Sequence, residues 1–167
     1  MAWENEMVGI LREMVGDYDK SKYSDARLEE VILSATTLVM PKVDFSVSYT
    51  VDLDLGSLSP DPTSQSPKDY DFINLVCLRA TALLLNSEAK TAALQSYRVV
   101  DGPSTIDGTA AAKAMQQLAK TAMEDFERAV FDYQAGNSVG AGAVLTPYTT
   151  QNINVGNYNF VPRNPYY

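Results

Sequence analysis

DYDFINLVCLRATALLLNSEAKTAAL, residues 69 to 94, is the stretch on which the fold turns. Phe72, Ile73, Leu75, Val76, Leu78, Ala82, Leu83, Leu84 and Leu85 fall on nearly every side of a 3.6-residue wheel, and a helix apolar all round is a buried one. Asn74, Arg79 and Asn86 interrupt it before the roughly 20 apolar residues a bilayer requires. The expectation is the central helix of a soluble bundle, not a membrane span.

The chain around it has 167 residues, enough for one core and too few for two independent ones. A net charge of −8 without any basic cluster argues against gripping nucleic acid or anionic lipid by attraction. The single cysteine, Cys77, lies inside the central helix and reads as a small buried hydrophobe, so no internal disulfide is possible. The opening MAWENEMVGIL has no basic region and no long apolar run, so no secretory signal is expected and synthesis in a cytoplasm is implied. Histidine is absent, which removes Ser-His and Cys-His catalysis and the commonest ligand of zinc. No enzyme and no cofactor is expected.

Upstream, Trp3, Met7, Ile10, Leu11 and Met14 recur at helical spacing, with Glu4, Arg12 and Glu13 outside that stripe and Gly16 near its end. After the polar GDYDKSKYSD, Ser24 is placed as an N-cap with Asp25 in the first turn. The second helix then carries Leu28, Val31, Ile32, Ala35, Leu38 and Val39, and Pro41 stops it. From Val43 the period changes to two. Val43, Phe45, Val47, Tyr49, Val51, Leu53 and Leu55 alternate with polar residues, the pattern of a strand over 43–55 with one buried face. A lone strand of that length is not stable, so it must fold back as a hairpin or find another strand. No second run in the chain matches its length, which makes Phe45, Val47, Tyr49, Val51 and Leu53 candidates for pairing between subunits.

GSLSPDPTSQSP, residues 56 to 67, reads as a Pro/Ser loop without fixed structure. SYRVVDGPSTID, beginning at Ser96, reads as a short extended piece with a turn at Asp101-Gly102-Pro103. Asp107 or Thr109 then caps a long helix to about Tyr133, whose face is Met115, Leu118, Ala119, Ala122, Met123, Phe126, Ala129, Val130 and Tyr133. Lys120/Glu124 and Glu124/Arg128 are spaced for i,i+4 pairs on its wet side.

At Gly136 the composition changes. The last 32 residues hold no Asp or Glu and one basic residue, Arg163, so the −8 of the whole chain becomes −9 for the body before them. Such an arm is too apolar for a solvated linker and reads as a segment laid against another protein by strand addition or aromatic anchors. Its anchors would be Tyr148, Ile153, Val155, Tyr158, Phe160, Arg163, Tyr166 and Tyr167. The organisation expected is a mainly α body over 1–135, a four-helix bundle-like core with a long strand or hairpin insertion, followed by an extended C-terminal arm over 136–167. The alternative for the arm is a disordered tail with no partner.

Three constellations offer chemistry and each fails a requirement. Asp17, Asp19, Ser21, Tyr23 and Asp25 have the alternate-ligand spacing of an EF-hand loop, but Lys22 stands where glycine belongs and Leu28 where a bidentate glutamate belongs. Asp52 and Asp54 share one strand face without a catalytic partner nearby. GAGAVL at 140 to 145 lacks the lysine and third glycine of a phosphate loop.

LREMVGDYDKSKYSDARLEEVILSA, from Leu11 to Ala35, resembles the opening of tailed-bacteriophage head-to-tail connector proteins, also called adaptors or head-completion proteins, in which a short helix, a D-x-D loop and a YSD-containing helix begin the fold. VVDGPSTID leading into an alanine-rich helix ending in Tyr133 resembles the same family's last helix, so the likeness spans roughly residues 8 to 133. The resemblance implies a structural virion neck protein forming a homo-oligomeric ring, usually of twelve subunits, beneath the portal protein. Such a ring joins head to tail and extends a channel through which double-stranded DNA passes without specific binding. It also implies manufacture in the bacterial host's cytoplasm and a next neck or tail protein as a further partner. The alternatives are another neck or tail-completion ring that meets the tail, and a carboxylate-dependent metal-binding module or enzyme built on Asp17, Asp19 and Asp25.

Overall fold

The computed structural model describes residues 3–95, 98–101, 104–107 and 109–137. The fold is mainly α. In chain order it runs α1 (Trp3–Val15), α2 (Asp25–Val39), β1 (Thr50–Asp52), β2 (Ser57–Ser59), α3 (Tyr70–Gln95), β3 (Arg98–Asp101), β4 (Ser104–Asp107) and α4 (Thr109–Asn137). Residues 138–167, with every anchor residue named above and the GAGAVL stretch, lie outside the described residues.

Asp69 starts the central helix, its Oδ1 accepting the Phe72 amide at 3.0 Å. By length and composition α3 is apolar enough to cross a membrane, so its polar interruptions do not themselves exclude a span. Its packing marks it as a core helix: α1, α2 and α4 all lie against it. Phe72, Val76, Cys77 and Ala80 are fully covered. A side chain the size of Phe72 contributes about 1.5–3 kcal/mol by leaving water.

On α1 the buried residues are Trp3, Met7, Val8, Leu11 and Arg12. The buried face is thus rotated from the expected stripe: Met14 is exposed and Arg12, expected on the wet side, is inside. In α2, Ser24 caps as expected, its Oγ accepting the Arg27 amide at 3.3 Å, and the helix ends at Val39 with Met40 as C-cap. Leu38 is 42% exposed, while Leu33 and Thr36 are buried. Thr36 satisfies its hydroxyl by donating to Ile32 O at 2.9 Å.

α4 packs along α3. It buries Ala112, Ala119 and Phe126, seven residues apart, with Met115, Ala122 and Ala129 half-buried three residues after each. α3 buries Leu75, Ala82 and Ala89 at the same spacing. This is the seam of two helices packed side by side, and alanine on both sides lets their backbones approach. Leu118, expected on that seam, is 54% exposed. Of the two spaced ion pairs, Lys120–Glu124 forms at 3.6 Å. The helix runs through Gly136 and Asn137, two residues that their composition had assigned to the arm. β3 and β4 pair antiparallel with Asp101 opposite Ser104, so the expected extended piece is a hairpin. Its turn residues 102 and 103 and the side chain of Asp107, a candidate cap, lie outside the described residues.

Candidate interaction surface

The connection between α1 and α2 is built on Arg12. Gly16, at φ +75°, ends α1, and the amides of Gly16 and Asp17 both donate to Arg12 O, at 2.9 and 3.0 Å. The chain then wraps around the Arg12 guanidinium. Its Nη1 donates to Asp17 Oδ2, and its Nη2 donates to Tyr23 O at 2.9 Å and to Asp25 Oδ1 at 2.6 Å. Asp17 also accepts the amides of Lys22 (3.0 Å) and Tyr23 (3.2 Å). The Arg12 and Asp17 side chains are 6% and 2% exposed, a buried pair in which Nη1 and Nη2 of the guanidinium are bonded while its Nε is buried without a hydrogen-bond partner. Hydrogen bonding to Arg12 holds the Asp25 carboxyl below the usual carboxylate range. The carboxylate spacing that resembled a calcium loop is therefore a clamp around an arginine. Among the described residues no cluster of three or more Asp, Glu, Cys or His is arranged to hold a metal.

The run from Val43 does not form one long strand. Strand pairing is confined to Thr50–Asp52 with Ser57–Ser59, in the register Thr50↔Ser59, Val51↔Leu58, Asp52↔Ser57. The hairpin is thus the way the run finds a partner, and part of the supposed unstructured loop supplies the second strand. The rest of that loop is also held: Pro62 and Thr63 are buried, Asp61 Oδ1 accepts from Thr63 N at 2.8 Å, and Lys68 Nζ donates to Glu6 Oε2 of α1 at 2.8 Å.

Although 43–49 is not strand, its alternation governs burial. Val43 and Tyr49 are buried, Phe45 and Val47 half-buried, and the intervening polar residues exposed. Phe45 lies edge-on to Phe72 at 5.1 Å and tilted to Tyr133 at 5.7 Å. Of the five residues offered for pairing between subunits, Phe45, Val47, Tyr49 and Val51 pack on the core of their own chain. Leu53 does not.

Leu53 is 58% exposed and Leu55 is 79% exposed, at the tip of the β1–β2 hairpin. The tip is a four-residue loop in which Asp52 Oδ1 accepts the amides of Asp54 and Leu55, both at 3.0 Å, and Gly56 takes φ +62°. Asp52 thus shapes a turn, which is a sufficient reason for an acid there. With Ala26, Arg27, Glu30 and Leu33 of α2, the tip lines a shallow cleft.

A second groove runs between α3 and α4, floored by Ala89, Ala93, Ala119 and Met123 with Lys90 and Lys120 along its edges. Neither this groove nor the role of Arg12 was read from the sequence. A sequence signal for Arg12 exists, since an arginine just before a glycine-terminated helix end, with aspartates five and thirteen residues on, is spaced for such a clamp. Comparison with family models, curated proteins and solved structures gives no match for this chain.

Proposed function

We propose that this chain is a structural virion neck protein that assembles as a ring beneath a portal, joins head to tail and lengthens the DNA channel. The observation that carries the reading is the connection from Leu11 to Ala35, the segment that resembles the connector family. Its Arg12, Asp17, Tyr23 and Asp25 form one hydrogen-bonded unit holding α1 to α2. Residue types that would otherwise suggest a metal loop are used there for rigidity, which suits a scaffold.

Two further features support it. An acidic body suits a conduit that DNA passes without sticking. The segment from Ser138 onward, with Arg163 as its one charged side chain, follows α4 directly in sequence and carries tyrosines suited to anchoring on a partner. Twelve copies would multiply the hold of a weak single arm.

The test is co-sedimentation with portal rings of the same virus, comparing the full chain with one ending at Asn137 whose helicity is checked by circular dichroism. Pelleting of the full chain alone makes the arm the clasp. Pelleting of both makes the body the docking unit and leaves the arm for a neighbour or the tail. If neither pellets, portal binding is wrong, and a ring lower in the neck takes its place.

A further inference from the structure

We propose that the tip of the β1–β2 hairpin of one copy docks into the α3–α4 groove of the next copy, a head-to-tail contact that builds the ring. The inference rests on the neck-ring reading above and names the contact it requires. At the tip, Leu53 and Leu55 are the apolar groups, and Asp52 and Asp54 alternate with them. The groove is complementary in both respects. Its floor is Ala89, Ala93, Ala119 and Met123, its volume is about 370 Å³, and its charged edges are Lys90 and Lys120. In a chain of net charge −8, a groove with only cationic charges on its edges selects an acidic visitor. Lys120 leans 3.6 Å from Glu124, an exposed pair that is weak and can exchange for an aspartate of a neighbour.

Within one chain the two surfaces are separate, which suits an intermolecular contact. The tip lies over α2, whereas the groove is lined by residues of α3 and α4 alone, and on α3 Glu88 pairs with Lys22 of the α1–α2 connection. Lys90 is two residues further along α3, about 200° round the helix, so the groove opens on the side of α3 away from that connection. A tip and a receptor built from different residues form a heterologous interface, which closes into a ring when the rotation between copies divides a full turn.

The test uses the full-length chain with portal rings present and a short bismaleimide. Cys77 is buried, and burial pushes its thiol up to about 12, so it does not compete. Leu55→Cys combined with Gln116→Cys, a groove-edge position, is expected to give a ladder of covalent oligomers. Each single variant alone should give none, and a mixture of the two singles should give only a dimer. Asp54→Lys should cut the ladder about tenfold, and adding Lys90→Glu and Lys120→Glu should restore it. Dimers from Leu55→Cys alone would overturn the proposal in favour of a symmetric tip-to-tip contact. Rings that assemble without the ladder would overturn this contact and leave the neck-ring reading standing. If the unmodified chain forms no ring on the portal, the ring reading itself fails and the contact with it.

Discussion

Tyr49 stacks on Phe72, with ring centroids 3.8 Å apart and planes 27° from parallel. The Tyr49 hydroxyl donates to Asp69 Oδ2 at 2.7 Å, and Asp69 Oδ1 caps α3. One aromatic pair thus ties the run leading into β1 both to the middle of the core and to the start of its central helix. Burial, with the Asp69 carboxylate beside it, pushes the Tyr49 phenol well above its ordinary value, so it stays a donor throughout the working pH range.

Tyr49→Phe removes that one charge-assisted hydrogen bond and is expected to cost about 1.5–3 kcal/mol, whereas Tyr49→Ala also opens a cavity beside Phe72 and costs about 3–5 kcal/mol. Leu53→Ser and Leu55→Ser, at the exposed tip of the same segment, should change stability by less than about 0.5 kcal/mol. Urea midpoints at constant m-value measure all four. A large loss at the tip would mean that those leucines belong to the core.

Arg12→Ala leaves the buried Asp17 carboxylate without its cation and is expected to destabilise the chain by about 3–5 kcal/mol. Arg12→Met with Asp17→Asn removes both charges together and should lose much less than the sum of the single changes. A double-mutant cycle on thermal unfolding reads the coupling. Additive effects would show that Arg12 and Asp17 do not act as a pair.

Acid should weaken the fold through two carboxyls whose values are lowered in the folded chain. For Asp25 the main cause is the Arg12 hydrogen bond. For Asp61, burial pushes upward, but hydrogen bonds from Thr63, from the Ser64 backbone and from the Trp3 backbone outweigh it. A lowered folded value means that the stabilisation is complete above the unfolded value of about 4 and is lost as pH falls through the folded value. The melting temperature is therefore expected to hold between about pH 7 and 5 and to fall below about 4. Asp61→Asn should flatten that fall, and an unchanged acid limb in this variant would remove Asp61 from the account.

Much of the helical framework was legible in the linear pattern because helix formation is local. Ser24 and Pro41 bracket α2, Gly16 ends α1, and the all-round apolar stretch around Val76 became the central helix. The period-two run foretold which side chains of 43–51 turn inward, yet it overstated the strand, because alternation sets facing whereas strand pairing needs a partner at the right distance. Leu38 and Leu118 lay on the expected apolar stripes and ended exposed, since a stripe is wider than the contact its neighbour makes with it.

By itself, then, the sequence determined a mainly helical body with an inward-facing alternating run, and a segment after it without acidic residues, through local periodicity, capping and composition. Only the tertiary structure decided that Arg12 is a buried hub, that Ser57–Ser59 supplies the second strand, and that a lysine-edged groove lies between α3 and α4. Each of these joins residues from separate segments, Arg12 with Asp25, Val51 with Leu58 and Ala89 with Ala119. Such pairings depend on how finished elements dock, and no local period encodes them.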